Sequence, residues 1–197
     1  MSEPSLVTSR ERAKADRRTA LLAAAAELFA LRGFARVSLE DLGAAAGVSG
    51  PAVYRHFPGK QAVLAALLID VSRDLVNGGQ AVIASAGDYT EALRALIAFH
   101  VEFALSNPDV IVVQDRDLDS LAPEDRQAVR SLQRSYIEAW VGVLAGIHPG
   151  IVASELRIRA RATFGLINST PHSARTSPKA AVRRLLEAMA FAALTTA

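Results

Sequence analysis

Along the 197-residue chain the apolar positions follow the period of helices. Between 17 and 32, Leu21, Leu22, Ala25, Leu28, Phe29 and Leu31 recur at steps of three and four, and Gly33 ends the run. Ser38, with Asp41 three residues on, has the form of a short-armed capping box. It predicts a second helix with Leu39, Leu42, Ala45 and Ala46 on its inner face and Gly47 at its end. Ser49 and Pro51 mark the N-cap and first turn of a third helix that reaches about Phe57. A longer helix is predicted over 60–76, closed by Asn77, Gly78 and Gly79, and 81–86 reads as helix or loop. Further helices are expected over 88–105, 123–147, 153–169 and 177–195, with a short element over 109–118. Strand signals are few, so the predicted fold class is all-α.

Composition narrows the possibilities. Hydrophobic residues make up 51% of the chain and charged residues 21%, which excludes a disordered polymer and permits a real core. Without cysteine there is no disulfide framework, thiol nucleophile or thiolate metal site. No uninterrupted apolar run is long enough to span a membrane, and the basic N-terminus is not followed by a signal-peptide core. The chain is expected in the cytoplasm, with no membrane partner. Residues 1–60 hold nine cationic and six acidic side chains, whereas 61–197 hold thirteen and fourteen. A positive excess confined to the first third suits a nucleic-acid-binding module, although a solvated basic terminus has the same composition.

The two short helices around Gly47 have the proportions of a helix-turn-helix, whose second helix enters a DNA major groove. Val53 and Phe57, four apart, should face the small core beside Leu28, Phe29 and Leu42, leaving Tyr54, Arg55 and His56 to point elsewhere. The segments 29–34 (Phe-Ala-Leu-Arg-Gly-Phe), 37–42 (Val-Ser-Leu-Glu-Asp-Leu), 46–49 (Ala-Gly-Val-Ser) and 53–57 (Val-Tyr-Arg-His-Phe), followed by Lys60, resemble the DNA-binding region of TetR-family (tetracycline-repressor-like) regulators. The resemblance covers roughly 15–64, and beyond about Arg73 only the helical layout is similar. It implies a flexible basic arm over 1–16, a three-helix helix-turn-helix domain over 17–59, and a helical ligand-binding and dimerisation domain over 60–197. It implies a homodimer on a pseudo-palindromic double-stranded operator, a small-molecule effector, and usually repression. Gly50 and Pro51 depart from the family pattern, which often has a polar or basic residue there.

The DNA-contact candidates are Ser38, Ser49, Gly50, Ala52, Tyr54, Arg55, His56 and Lys60. Lys60 is the most informative, because a cation at a helix N-terminus opposes the helix dipole and so needs a partner such as a phosphate. In the second part, 95–105 is apolar nearly all round except for His100 and Glu102, so it is expected to be buried and able to line a cavity. Phe99, His100, Phe103, Trp140 and Phe164 are the candidates for an effector pocket of roughly 300–1,000 Å³. The alternative for His100 is a core histidine bonded to a neighbouring helix. The apolar lining suggests a lipophilic effector, of acyl or acyl-CoA type. In the last helix, Val182, Leu185, Leu186, Met189 and Ala193 form a stripe expected to seat it on its own subunit. Phe191, beside Arg184 and Glu187, falls off that stripe, so Phe164, Arg184 and Phe191 are the dimer-contact candidates.

No cofactor or metal is expected. Asp115, Asp117 and Asp119 begin like a calcium loop, but Ser120 and Arg126 stand where that loop needs glycine and a carboxylate. Ser169 and His172 lack an orienting acid, and no phosphate or dinucleotide fingerprint occurs. An all-α enzyme or carrier is therefore disfavoured, and a constitutive DNA-binding dimer with a filled core is the remaining alternative.

Overall fold

The computed structural model describes residues 9–174 and 176–196. Among these there is no strand, and ten α-helices follow one another: α1 Ser9–Arg32, α2 Leu39–Ala45, α3 Gly50–Tyr54, α4 Lys60–Ala84, α5 Tyr89–Ser106, α6 Pro108–Asp117, α7 Pro123–Ile147, α8 Ala153–Ile167, α9 Thr170–Ser173 and α10 Lys179–Thr195. Of the segment 1–16, read from sequence as an arm, residues 1–8 lie outside the described residues and 9–16 extend α1.

Local chemistry explains most boundaries. Gly33 ends α1 with φ 85°, a conformation that favours glycine. The box at α2 is complete: the Asp41 amide donates to Ser38 Oγ at 3.0 Å, and the Ser38 amide donates to Asp41 Oδ2 at 2.8 Å. Such a cap contributes about 1 kcal/mol. Gly47, at φ 67°, makes the tight turn into α3. The N-cap residue Ser49 accepts through its carbonyl from the amides of Ala52 and Val53, while its side chain makes no cap bond. α3 is shorter than predicted, ending at Tyr54.

The expected stop at Asn77 does not occur, and α4 continues to Ala84. Gly78 and Gly79 sit inside the helix because aromatic rings press close against its backbone there. A Cβ at Gly78 would collide with the Phe99 ring, and one at Gly79 would stand 2.6 Å from Tyr136 Cε2. Each glycine costs a helix interior about 1 kcal/mol relative to alanine, and the close approach of α5 and α7 offsets that cost.

Two apolar clusters hold the chain together. The first joins Leu21, Phe29, Leu42, Val53 and Phe57 to Leu64 and Leu68 of α4 and to Val110 and Val113 of α6. The second joins Leu93, Leu96 and Ile97 of α5 to Trp140 and Leu144 of α7, Leu156 and Ile167 of α8, and Leu186 and Ala190 of α10. Ile111 belongs to the second while its neighbours Val110 and Val113 belong to the first, so α6 is wedged between them. Arg116, near the end of α6, donates to the carbonyls of Ala30 (3.1 Å) and Phe29. Buried Asp117 holds the same guanidinium at 2.9 Å, so α6 is fastened to the C-terminal end of α1.

Candidate DNA-binding surface and effector pocket

The helix-turn-helix buries Val53 and Phe57 and turns the rest of α3 outward. Tyr54 is 56% exposed, Arg55 is exposed, and Ala52 and His56 are half-buried. Ser38 and Ser49 are both exposed at helix N-termini, and Gly50 begins α3. Arg18 steadies the far end of this surface, pairing with Asp70 at 2.8 Å and lying 5.5 Å from the Phe57 ring centre. A cleft of about 380 Å³ between α1 and the end of α3 is lined by Glu11, Lys14, Ala15, Arg18, Arg55 and His56. Desolvation first, and then the charges of Arg17, Lys14, Arg55 and Arg18, hold His56 below its ordinary pKa. The cationic surroundings would favour an anion in this cleft.

Lys60 has a partner inside the protein. Its ammonium donates to the carbonyls of Phe34 (2.8 Å) and Ala35 (3.2 Å) and lies 4.6 Å from the Phe34 ring centre. These contacts explain a cation at the start of α4 and fasten the Phe34–Arg36 turn to it.

The effector candidates separate into two groups. A cavity of about 240 Å³ between α4, α5, α6, α7 and α8 is lined by His100, Phe103 and Phe164, and also by Ile111, Tyr136, Ile137 and Asn168. Ser72, Gln114, Gln133 and Arg161 contribute polar groups to the same wall. Phe99 instead presses on Gly78, and Trp140 is fully buried behind the aromatic layer, edge-on to Phe164 at 5.0 Å. The volume falls short of the expected range because rings occupy the space: Tyr136 and Phe164 stack at 5.6 Å with 7° between their planes.

His100 is 3% exposed, and its Nδ1 lies 3.4 Å from the Tyr136 hydroxyl. Burial lowers its pKa to about 4, opposed by the Asn168 carboxamide, which faces the ring without closing a well-formed hydrogen bond. Both readings of this histidine therefore meet in one residue, which packs in the core and lines the cavity. Asn168 and Gln133 were not among the sequence candidates. Gln133 and Tyr136 sit one helical turn apart on the buried side of α7, and a glutamine within that stripe was the available signal.

The last helix is rotated from its expected setting. Leu186, Ala190 and Leu194 face the core, while Leu185 and Met189 are 60% and 44% exposed. Phe191 is half-buried, with the Arg94 guanidinium 3.8 Å from its ring centre. Arg94 of α5 thus covers part of the ring within the same subunit. Arg184 is exposed near this pair, and Phe164 lies inside the pocket. On the adjoining α8, Ile158 is 67% exposed, and Ala162 and Gly165 follow it on the same face. Among the described residues no group of side chains could hold a metal ion, and no single helix is long and apolar enough to cross a membrane.

This arrangement defines a helix-turn-helix regulator with a separate helical sensor region. Residues 21–67 match the family of bacterial regulatory proteins of the tetR type, and residues 86–172 match a tetracycline-repressor-like C-terminal domain. The chain is 31% identical over 153 residues to the transcriptional repressor KstR2 of Rhodococcus jostii, covering 77% of this chain and 75% of that protein. It superposes on the ketosteroid regulator KstR2 of Mycobacterium tuberculosis with a TM-score of 0.77 at 22% identity, over 92% of this chain and 96% of the other. It also superposes on the regulator FadR of Bacillus subtilis, solved with stearoyl-CoA, with a TM-score of 0.71 at 18% identity, over 89% and 98%. The chain belongs to the TetR family and is a transcriptional regulator.

Proposed function

We propose that this regulator represses transcription in the cytoplasm by binding a pseudo-palindromic operator as a homodimer, and that a lipophilic effector releases it. The observation that carries the reading is the placement of α6, which lines the cavity through Ile111 and Gln114 and grips α1 through Arg116. A ligand entering a 240 Å³ cavity already crowded by rings has to displace α6 or the aromatic layer. It then favours whichever arrangement of the helix-turn-helix suits the enlarged cavity, and operator affinity falls by the ligand's differential affinity for the two states.

On the DNA side, Tyr54, Arg55 and His56 contact the operator, with Ser38, Ser49, Gly50 and Ala52 at the groove and the free side of Lys60 toward a phosphate. The exposed apolar faces of α8 and α10, with Ile158, Leu185 and Met189, are the support for a second copy of the chain, since helix pairs from two subunits would cover them as a four-helix bundle. For the effector, support for an acyl or acyl-CoA type comes from the stearoyl-CoA held by the FadR neighbour and from exposed Arg161 on the cavity wall, a fit for an anionic end.

Selection of bound DNA from a random pool, repeated with candidate effectors, tests the reading. An inverted repeat should emerge. Arg55→Ala should leave the melting temperature unchanged and weaken operator binding, at one base pair by about 1–3 kcal/mol if the side chain reads a base. Recovery of no sequence, or Arg55→Ala binding like wild type, overturns the DNA-contact assignment.

A further inference from the structure

The cleft between α1 and α3 gathers charge from two elements that are far apart in the chain. Lys14 and Arg18 reach it from α1, while Arg55 and His56 follow the last residue of α3. Three cations therefore share its wall with one carboxylate, that of Glu11. Arg18 is already matched by Asp70 of α4 at 2.8 Å and rests against the Phe57 ring. Lys14 and Arg55 are exposed and form no ion pair among the described residues. His56 is half-buried beside them, and its imidazole has no hydrogen-bond partner among the described residues.

Desolvation, then the like charges of Arg17, Lys14, Arg55 and Arg18, disfavour the protonated ring, so the free protein holds His56 neutral near pH 7. An anion in the cleft would offset those cations and accept a hydrogen bond from the imidazolium. The position of the cleft selects the anion. It adjoins Tyr54 and Arg55 on the outward face of the helix-turn-helix, so a duplex read by that face carries its backbone past the cleft. A phosphodiester stays charged throughout the range in which histidine titrates. Its two free oxygens give one acceptor to the Lys14 ammonium and one to the imidazole.

We propose that this cleft seats one backbone phosphate of the bound DNA between Lys14 of α1 and His56 beyond α3, and that His56 takes up a proton as the phosphate enters. This rests on the reading of the helix-turn-helix as the operator-binding surface. It adds a contact from α1, outside the helix-turn-helix, and makes operator affinity depend on pH.

The full-length protein is titrated with its selected operator duplex, and with a duplex of unrelated sequence, from pH 6 to pH 8 at constant ionic strength. Wild-type affinity for both should fall about fivefold or more per subunit across that range, because the bound state holds the extra proton. His56→Gln, which keeps a donor but does not titrate, should lose this dependence. Calorimetry at pH 7 in buffers of different ionisation enthalpy should register proton uptake by the wild type and none by His56→Gln. Lys14→Gln, at an exposed position, should lower the salt slope by about one per subunit. A pH-independent wild-type affinity, a dependence that His56→Gln retains, or an unchanged salt slope in Lys14→Gln overturns the proposal and leaves the operator reading standing. The His56 pKa is also followed by NMR with the duplex and with sulfate at matched ionic strength. An equal rise with sulfate would assign the cleft to a free anion and overturn the proposal. Absence of binding to any duplex overturns the operator reading itself, and the proposal with it.

Discussion

Lowering the pH should destabilise this protein through His100 in a way one substitution removes. The folded state holds the imidazole neutral, with its pKa lowered to about 4, whereas an unfolded chain titrates its histidines near 6.5. Between these values the unfolded state binds more protons, so the stability contributed by neutral His100 is present above about pH 6.5 and is lost as the pH falls toward 4. Two and a half pKa units correspond to about 3 kcal/mol at pH 4, and roughly 2 kcal/mol is already lost at pH 5. Urea unfolding of the wild type and of His100→Gln at pH 7.5, 6 and 5 measures the effect. The glutamine does not titrate, and contributions from other groups, including His56 with its lowered pKa, cancel in the difference. The variant is expected to start less stable and to converge on the wild type as the pH falls. A stability difference that stays flat from pH 7.5 to 5 would mean that His100 is hydrated and charged in the fold, and the account of the pocket would be wrong.

Other expectations follow from single contacts. Lys60→Ala should lower stability by about 1–3 kcal/mol, since two carbonyls lose an ammonium donor, and should also reduce the salt slope of DNA binding by about one per subunit; an unchanged melt would deny the tie to Phe34. Gly78→Ala should destabilise by about 1–3 kcal/mol despite alanine's better helix propensity, because its Cβ meets the Phe99 ring, and a stabilised variant would show that α5 can move away. Leu185→Glu combined with Met189→Glu should yield folded monomers in sedimentation at micromolar concentration, whereas a persistent dimer would place the interface elsewhere.

The sequence alone determined the helical class, the capping box at Ser38, the glycine turn at Gly47 and the inward facing of Val53 and Phe57, because each depends on residues within a few positions of one another. It also carried the resemblance on which the DNA-contact candidates rest. Where it misled, the deciding partner lay far along the chain. Gly78 and Gly79 have the local chemistry of a helix stop, yet Phe99 and Tyr136 use their missing side chains for close packing. The cation at the start of α4 has a second explanation that no local pattern shows, the carbonyls of Phe34 and Ala35 within reach of Lys60. Phe191 and Leu185 exchanged their expected settings because a helix with apolar residues on much of its circumference does not specify its own rotation; Arg94 and the core beneath α10 do. The meeting of His100 with Asn168 on the cavity wall is of the same kind, since periodicity reports which face is buried but not which buried polar groups meet.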